Sequence, residues 1–179
     1  MQSFVDANGY QVDFSESEEF GEAWHVLVLS QLNDQWVLTQ HKKRGLEFPG
    51  GKREAGESIE DAAIREVYEE IGGIVNELVL LGQYRVNDPN KPFVKSIYYA
   101  ELKMLETKSD YLETAGPILI EKLPADIKTN PHYSFIMKDE IIALSLTQLK
   151  KREPSWSFKS TMVFFYPCFI NLRSSQATS

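Results

Sequence analysis

Residues 50–73 constrain this chain more than any other stretch: a glycine pair, a charged loop, and a helix-forming run that carries Glu66, Glu69 and Glu70 at i, i+3 and i+4. That spacing puts all three carboxylates on one helix face. Like charges so placed cost about 0.2–0.5 kcal/mol per pair in an isolated helix, so a merely soluble face would interleave lysines. A hard divalent cation removes the penalty. Magnesium takes oxygen ligands, keeps several waters and is commonly held by one or two carboxylates together with substrate phosphates, so a phosphorylated substrate suits such a face. Ser58 is the expected cap, with Glu60 and Asp61 favourable in the first turn. Ile59, Ala63, Ile64, Val67 and Ile71 recur with helical period and predict a core stripe. Glu66 and Glu70 border it, where carboxylates lose hydration and need a cation or an arginine. Gly72 and Gly73 stop the helix.

From Gly51 the order is five residues, Glu57, seven residues, Arg65-Glu66-Val67, one residue, Glu69-Glu70, one residue, Gly72. Those eight positions resemble the box of the Nudix hydrolases. The resemblance implies an α/β fold, a helix-sheet-helix sandwich with a mixed sheet between the helices. It also implies that Glu66, Glu69 and Glu70 ligate magnesium, with manganese as a substitute, and that Glu57 is a further or water-bridged ligand. Arg65 would orient the glutamate row by charge-assisted hydrogen bonds. Gly50 and Gly51 would let backbone approach metal and phosphates, and Lys52 would meet the phosphate charge. One position departs: Gly73 stands where the family has an aliphatic residue, and Ile74 is expected to supply the apolar contact one place later.

The phrase Glu47-Phe48-Pro49-Gly50-Gly51-Lys52 resembles the branch of the family that hydrolyses nucleoside triphosphates, oxidised guanine nucleotides included, to monophosphate and pyrophosphate. Arg44-Gly45, Leu81-Gly82-Gln83-Tyr84, Tyr111-Leu112-Glu113-Thr114 and residues 134–139 resemble the members of that branch from Bacillus-type bacteria, which are also associated with removing pyrophosphate from RNA 5′ ends. Glu113 resembles the branch's loop acid and is carried as a general base, because groups bound to metal are poor bases; Glu69 or Glu70 is the alternative. Phe48 is either a core residue or the wall on which a base stacks. Asn130 is either a reader of a base edge, since an amide both donates and accepts, or a plain turn residue before Pro131.

Elsewhere the pattern predicts a strand over residues 24–31, a turn at Asn33-Asp34 and a returning strand over 35–40. Strands are expected over 77–86, 93–103 and 116–121, and a closing helix over 133–146 with Phe135, Ile136, Ile141, Ile142 and Leu144 as its apolar side. His25 and His41 have no second histidine or cysteine at ligand spacing and are not read as metal ligands. The resemblance covers residues 1–150, taken as one hydrolase domain. Residues 151–179 form an extension of no assigned role, including an apolar run over 162–172 far short of the roughly 20 residues that span a bilayer.

Length and charge bound the function. A chain of 179 residues supports one domain that buries about 70% of its unfolded surface. A net charge of −7 with a pI near 5.1 argues against a general nucleic-acid binder, which needs a basic surface, but leaves room for a nucleotide or an RNA end held through magnesium. The lone Cys168 forms no intramolecular disulfide, and residues 1–6 lack the basic start and apolar core of a signal peptide, so a cytoplasmic protein with no membrane partner is expected. Oligomeric state stays open. The competing class is a nucleotide-sensing module that keeps the fold without turnover. Loss of a box carboxylate would favour it, and none is lost.

Overall fold

The computed structural model describes residues 1–6 and 8–156, with side chains to Arg152; the apolar run expected over 162–172 lies outside the described residues. The chain runs β1 (Gln2–Val5), β2 (Gln11–Ser15), β3 (His25–Leu32), β4 (Gln35–His41), β5 (Gly45–Glu47), α1 (Ile59–Ile71), β6 (Gly73–Val86), β7 (Phe93–Leu105), β8 (Thr114–Ile120), α2 (Phe135–Lys138) and α3 (Glu140–Trp156). Thus α3 continues through the domain boundary expected at residue 150.

The sheet order is β1-β2-β6-β7-β3-β4-β5, with β8 pairing β4. β3 and β7 run parallel and the other pairs antiparallel, so the sheet is mixed. The β3–β4 turn forms as the sequence predicts: Asn33 and Asp34 both take positive φ, 48° and 63°, the two-residue turn whose twist matches its strands.

Alternation along β3 divides the core. Val26 and Val28 face α1, where they meet Ala62, Ala63, Val67 and Ile71. Leu27 and Leu29 face the opposite layer with Met137, Ile141, Ile142 and Leu149. Helices therefore cover both faces, the sandwich that the resemblance to the Nudix hydrolases implied.

Several local expectations shift. Ile64 is 43% exposed and Ala62 takes its place in the core, because the buried stripe is centred between Ala63 and Glu70 rather than between Ala63 and Ile64. Gly73 opens β6 directly instead of ending a loop, so β6 begins four residues before the expected strand. Its missing Cβ would lie 2.7 Å from Val67 Cγ1 and 3.1 Å from Leu102 Cδ1. Val67 and Leu102 thus crowd the place where the family's aliphatic side chain would start. The closing helix is broken at Asp139, which is extended with ψ 154° and separates α2 from α3. The break leaves Phe135 half exposed, on the rim of a cleft rather than in the core.

Candidate active site

The glycine pair is needed for close approach, not for an unusual torsion. Residues 49–53 run beside the start of β3: Val28 N donates to Pro49 O at 2.8 Å, Val26 N to Gly51 O at 2.9 Å, and Arg53 N to Trp24 O at 3.0 Å. A Cβ on Gly50 would sit 2.4 Å from the Val26 carbonyl oxygen, and one on Gly51 would sit 2.1 Å from Glu66 Oε1. Backbone shuts out a side chain at Gly50, and one at Gly51 would push the Glu66 carboxylate out of its place. Gly50 N–H points the other way, toward Glu70 Oε2 at 3.4 Å. Helix α1 thus presents alanine and valine where it crosses β3, and glutamate where the same face crosses the elbow.

Arg65 organises that acidic half. Its Nε and Nη2 grip the two oxygens of Glu57 at 2.8 and 3.0 Å. Nη1 reaches Glu66 at 3.0 Å and Glu69 at 3.1 Å, and Nη2 also donates to the Lys52 carbonyl at 2.8 Å. One guanidinium thereby spans loop, elbow and helix, which a lysine's point charge would not do. The Arg65 hydrogen bonds hold the Glu57 carboxyl below its ordinary range, and Glu57 in turn raises Arg65. Glu66 and Glu70 go the other way. Burial raises both, and burial with the charges of Glu66 and Glu47 pushes Glu70 up to about 8.

Gly50, Gly51, Arg65, Glu66, Glu69 and Glu70 line one wall of a cleft of about 680 Å³, with Glu57 behind Arg65. Lys52 stands on its floor, exposed. The opposite wall brings Arg44, Lys95, the 111–113 loop, Phe135 and Ile136. Arg44 grips the buried Glu47 with Nε and Nη2, its Nη2–Oε1 distance being 2.6 Å. Burial lowers Lys95 to about 8. Glu113 projects from the end of the loop, its side chain 82% exposed, with its Oε2 3.6 Å from His41 Nε2. His41 Nδ1 accepts from Lys43 N and Arg44 N, both at 3.1 Å, so the ring proton sits on Nε2 and faces Glu113. Lys108 anchors the base of the loop: its Nζ donates to the last-turn carbonyls of α1, Tyr68 O at 3.0 Å and Glu69 O at 2.9 Å, where α1 has no basic residue of its own.

Residues 20–115 match the NUDIX domain model, more than half of the chain. The chain belongs to the Nudix hydrolase family. Among its relatives, YtkD of Bacillus subtilis (strain 168), whose name assigns it provisionally as an 8-oxo-dGTP diphosphatase, is 44% identical over 158 residues, 87% of this chain and 99% of YtkD. A crystal structure of a mutant of the Bacillus subtilis pyrophosphohydrolase BsRppH superposes with a TM-score of 0.82 at 43% identity, covering 84% of this chain and 97% of that one. The crystal structure of an ADP compounds hydrolase, 16% identical with a TM-score of 0.57 over 87% of this chain and 92% of that one, shares the fold.

As a Nudix hydrolase the chain is an enzyme whose family works with a divalent metal, and its donor set fits one. Among the described residues no three carboxylates or imidazoles converge as a ready-made cage. Arg65 occupies the space between Glu57, Glu66 and Glu69 as a counter-cation. Magnesium does not require such a cage, since one or two carboxylates with waters and phosphates suffice. Glu66 and Glu70, whose carboxyls burial raises, are the carboxylates with most to gain from a cation, Glu66 despite its contact with Arg65.

Within the Nudix site the structure brings together Gly50, Gly51, Lys52, Glu57, Arg65, Glu66, Glu69, Glu70 and, across the cleft, Glu113. Two expected substrate residues lie elsewhere. Phe48 is 2% exposed, packed edge-on to Trp36 with ring centroids 5.6 Å apart, so it is core and not a stacking wall. Asn130 does not line the cleft, because its side chain closes its own turn, Oδ1 accepting from His132 N at 3.1 Å and Nδ2 donating to Asp126 at 3.4 Å. Arg44, Lys95, His25 and Phe135 line the cleft without having been picked out as site residues. Lys95 had a signal, a lysine inside an apolar strand, but its face follows only from the register that pairs it with His25.

Among the described residues no helix is long and apolar enough to cross a membrane.

Proposed function

We propose that this Nudix hydrolase cleaves the pyrophosphate linkage of nucleoside triphosphates, oxidised guanine nucleotides such as 8-oxo-dGTP among them, to nucleoside monophosphate and pyrophosphate in a magnesium-dependent reaction. One observation carries the reading: Arg65 holds Glu57, Glu66 and Glu69 against an elbow stripped of side chains, and Glu66, Glu69 and Lys52 line one open cleft. The names of the Bacillus subtilis relatives point the same way.

Glu66, Glu69 and Glu70 would hold magnesium, with Glu57 at the edge of the set and manganese able to substitute. When bound, the metal neutralises phosphate charge and makes water a better nucleophile. The remaining work falls to the chain. Gly50 and Gly51 leave room for phosphate oxygens beside the backbone. Lys52, Arg44 and Lys95 meet the anionic charge of the polyphosphate, which develops further in the transition state. Glu113, free of the Arg65 network and exposed to solvent, takes the proton from the attacking water, and the protonated Nε2 of His41 restrains its carboxylate. Arg65 fixes the carboxylates and does not touch the substrate.

A screen of phosphate and pyrophosphate release, with and without magnesium, over nucleoside triphosphates, 8-oxo-dGTP, nucleotide-sugars and triphosphorylated RNA tests this. Pyrophosphate as the product from triphosphates is expected. Release only from nucleotide-sugars, or release independent of a divalent metal, would overturn it.

A further inference from the structure

Helix α1 ends in the acidic wall, and the loop that carries Glu113 closes over that end. The last carbonyls of a helix have no partner within it. Here Lys108 Nζ donates to Tyr68 O at 3.0 Å and to Glu69 O at 2.9 Å. Thr114 Oγ1 lies 3.0 Å from both Glu70 O and Tyr111 O. Tyr111 O already accepts from Thr114 N at 3.1 Å, which leaves the hydroxyl proton for Glu70. Glu69 and Glu70 therefore give their carboxylates to the cleft and their carbonyls to the two ends of one loop.

The loop is tied to itself as well. Lys108 N donates to Tyr111 Oη at 3.2 Å, and the Lys108 ammonium lies 4.7 Å from the ring of Tyr68 on the helix and 5.6 Å from the ring of Tyr111 on the loop. The Tyr111 ring rests on Gly116, where a Cβ would sit 3.0 Å from Cε2. On the far side Lys42 Nζ donates to Leu112 O at 2.6 Å and Lys42 N to Glu113 O at 3.2 Å. The backbone of Glu113 is thus held from both sides, while its side chain, 82% exposed, stays free to turn. Capping alone does not call for so much. Gly72, left-handed at φ 67°, already ends the helix and donates to Tyr68 O at 2.9 Å. What the loop adds is a fixed register between Glu113 and the turn that carries Glu69 and Glu70.

We propose that Lys108 and Thr114 are positioning residues for hydrolysis: they lock the backbone of Glu113 to the last turn of α1, so that the base and the carboxylates across the cleft keep one spacing around the attacking water. The proposal rests on the reading of Glu113 as the general base. Neither residue touches substrate; each acts through Glu113.

The test is a double-mutant cycle on kcat for 8-oxo-dGTP at saturating magnesium, with KM, the magnesium requirement and thermal midpoints measured alongside. Lys108→Met keeps the length of the side chain and removes its ammonium, and Thr114→Val keeps the shape and removes the hydroxyl. Each should lower kcat about tenfold with KM and the magnesium requirement held, since a misplacement of about 1 Å costs up to about 10²-fold. Lys108→Arg and Thr114→Ser, which keep the donors, should recover most of that loss. In a Glu113→Gln background neither Lys108→Met nor Thr114→Val should lower kcat further, because no base is left to misplace. Losses that multiply with that of Glu113→Gln, or a raised magnesium requirement, would overturn the proposal and leave Glu113 standing as the base. A lowered thermal midpoint with kcat unchanged would reduce Lys108 to a helix cap and overturn it too. If Glu113→Gln alone left kcat unchanged, the base assignment and the positioning role would fall together.

Discussion

The two walls of the cleft are built by opposite methods. One is a single stretch, residues 50–70, in which Arg65 donates hydrogen bonds to Glu57, Glu66, Glu69 and the Lys52 carbonyl, so that few rotamers survive. The other is gathered from the β4–β5 turn, β7, the loop before β8 and α2, and its acid, Glu113, is mostly in solvent behind Leu112, a non-glycine residue at φ 56°. The difference separates two tasks. A metal needs its ligands placed to within a fraction of an ångström before the substrate arrives, whereas the groups that meet substrate and water can settle when it binds.

The heaviest blow to the first wall is Glu69→Gln. Its side chain is 33% exposed, so the fold should survive with its thermal midpoint held, while kcat should fall by about 10³-fold, the several kcal/mol that a positioned metal supplies. Pyrophosphate release and a melting curve on the same sample measure both. Full activity would reject the metal assignment for this wall. Glu113→Gln probes the second wall alone. Loss of a general base predicts a drop in kcat of about 10²-fold with KM and the magnesium requirement unmoved, read by titrating both. An unaffected kcat would return the base to Glu69 or Glu70 and leave the loop only a binding role.

Legibility in the sequence follows the same division. The first wall could be read because its parts are neighbours along the chain: the spacing that makes the box also makes the site, down to the cap, where Asp61 N donates to Ser58. The second wall is made by pairing. Lys95 faces the cleft only because β7 lies parallel to β3, and Phe135 only because Asp139 interrupts the last helix. No local pattern encodes either. Ile64 and Phe48 show the limit from the other side. Helical period put Ile64 in the core and the sequence left Phe48 open, but neither says that the helix turns Ile64 to solvent or that Trp36 closes over Phe48. Where the sequence left Phe48 open between core and base wall, the deciding contact was tertiary.

A pH series sharpens the contrast without removing a side chain. Glu70 is raised from 4.5 to about 8, first by burial and then by the charges of Glu66 and Glu47, so the metal-free fold binds its proton more tightly than the unfolded chain. Between those values the native state holds more protons, and stability must fall as pH rises from about 4.5 to about 8. Saturating magnesium should flatten that decline by taking the proton's place, and Glu70→Gln should remove its upper part, leaving the share that Glu66 and Asp139, also raised by burial, contribute. Thermal midpoints across the pH range, with and without the metal, measure it. A decline of the same size in Glu70→Gln would assign it to groups other than Glu70.

Lys52 belongs by sequence to the first wall and by chemistry to the second, so its substitution tests where the boundary falls. Its carbonyl is fixed by Arg65 at 2.8 Å, a bond that alanine keeps, while its ammonium is exposed in the cleft with no hydrogen bond recorded among the described residues. An exposed charge meeting phosphate is worth on the order of 1 kcal/mol, so Lys52→Ala should raise KM for a triphosphate about fivefold and leave kcat and the magnesium requirement near the wild type. If kcat falls with KM unchanged, the ammonium acts on charge that develops only in the transition state. Lys52 would then join the preorganised wall in function as it does in sequence.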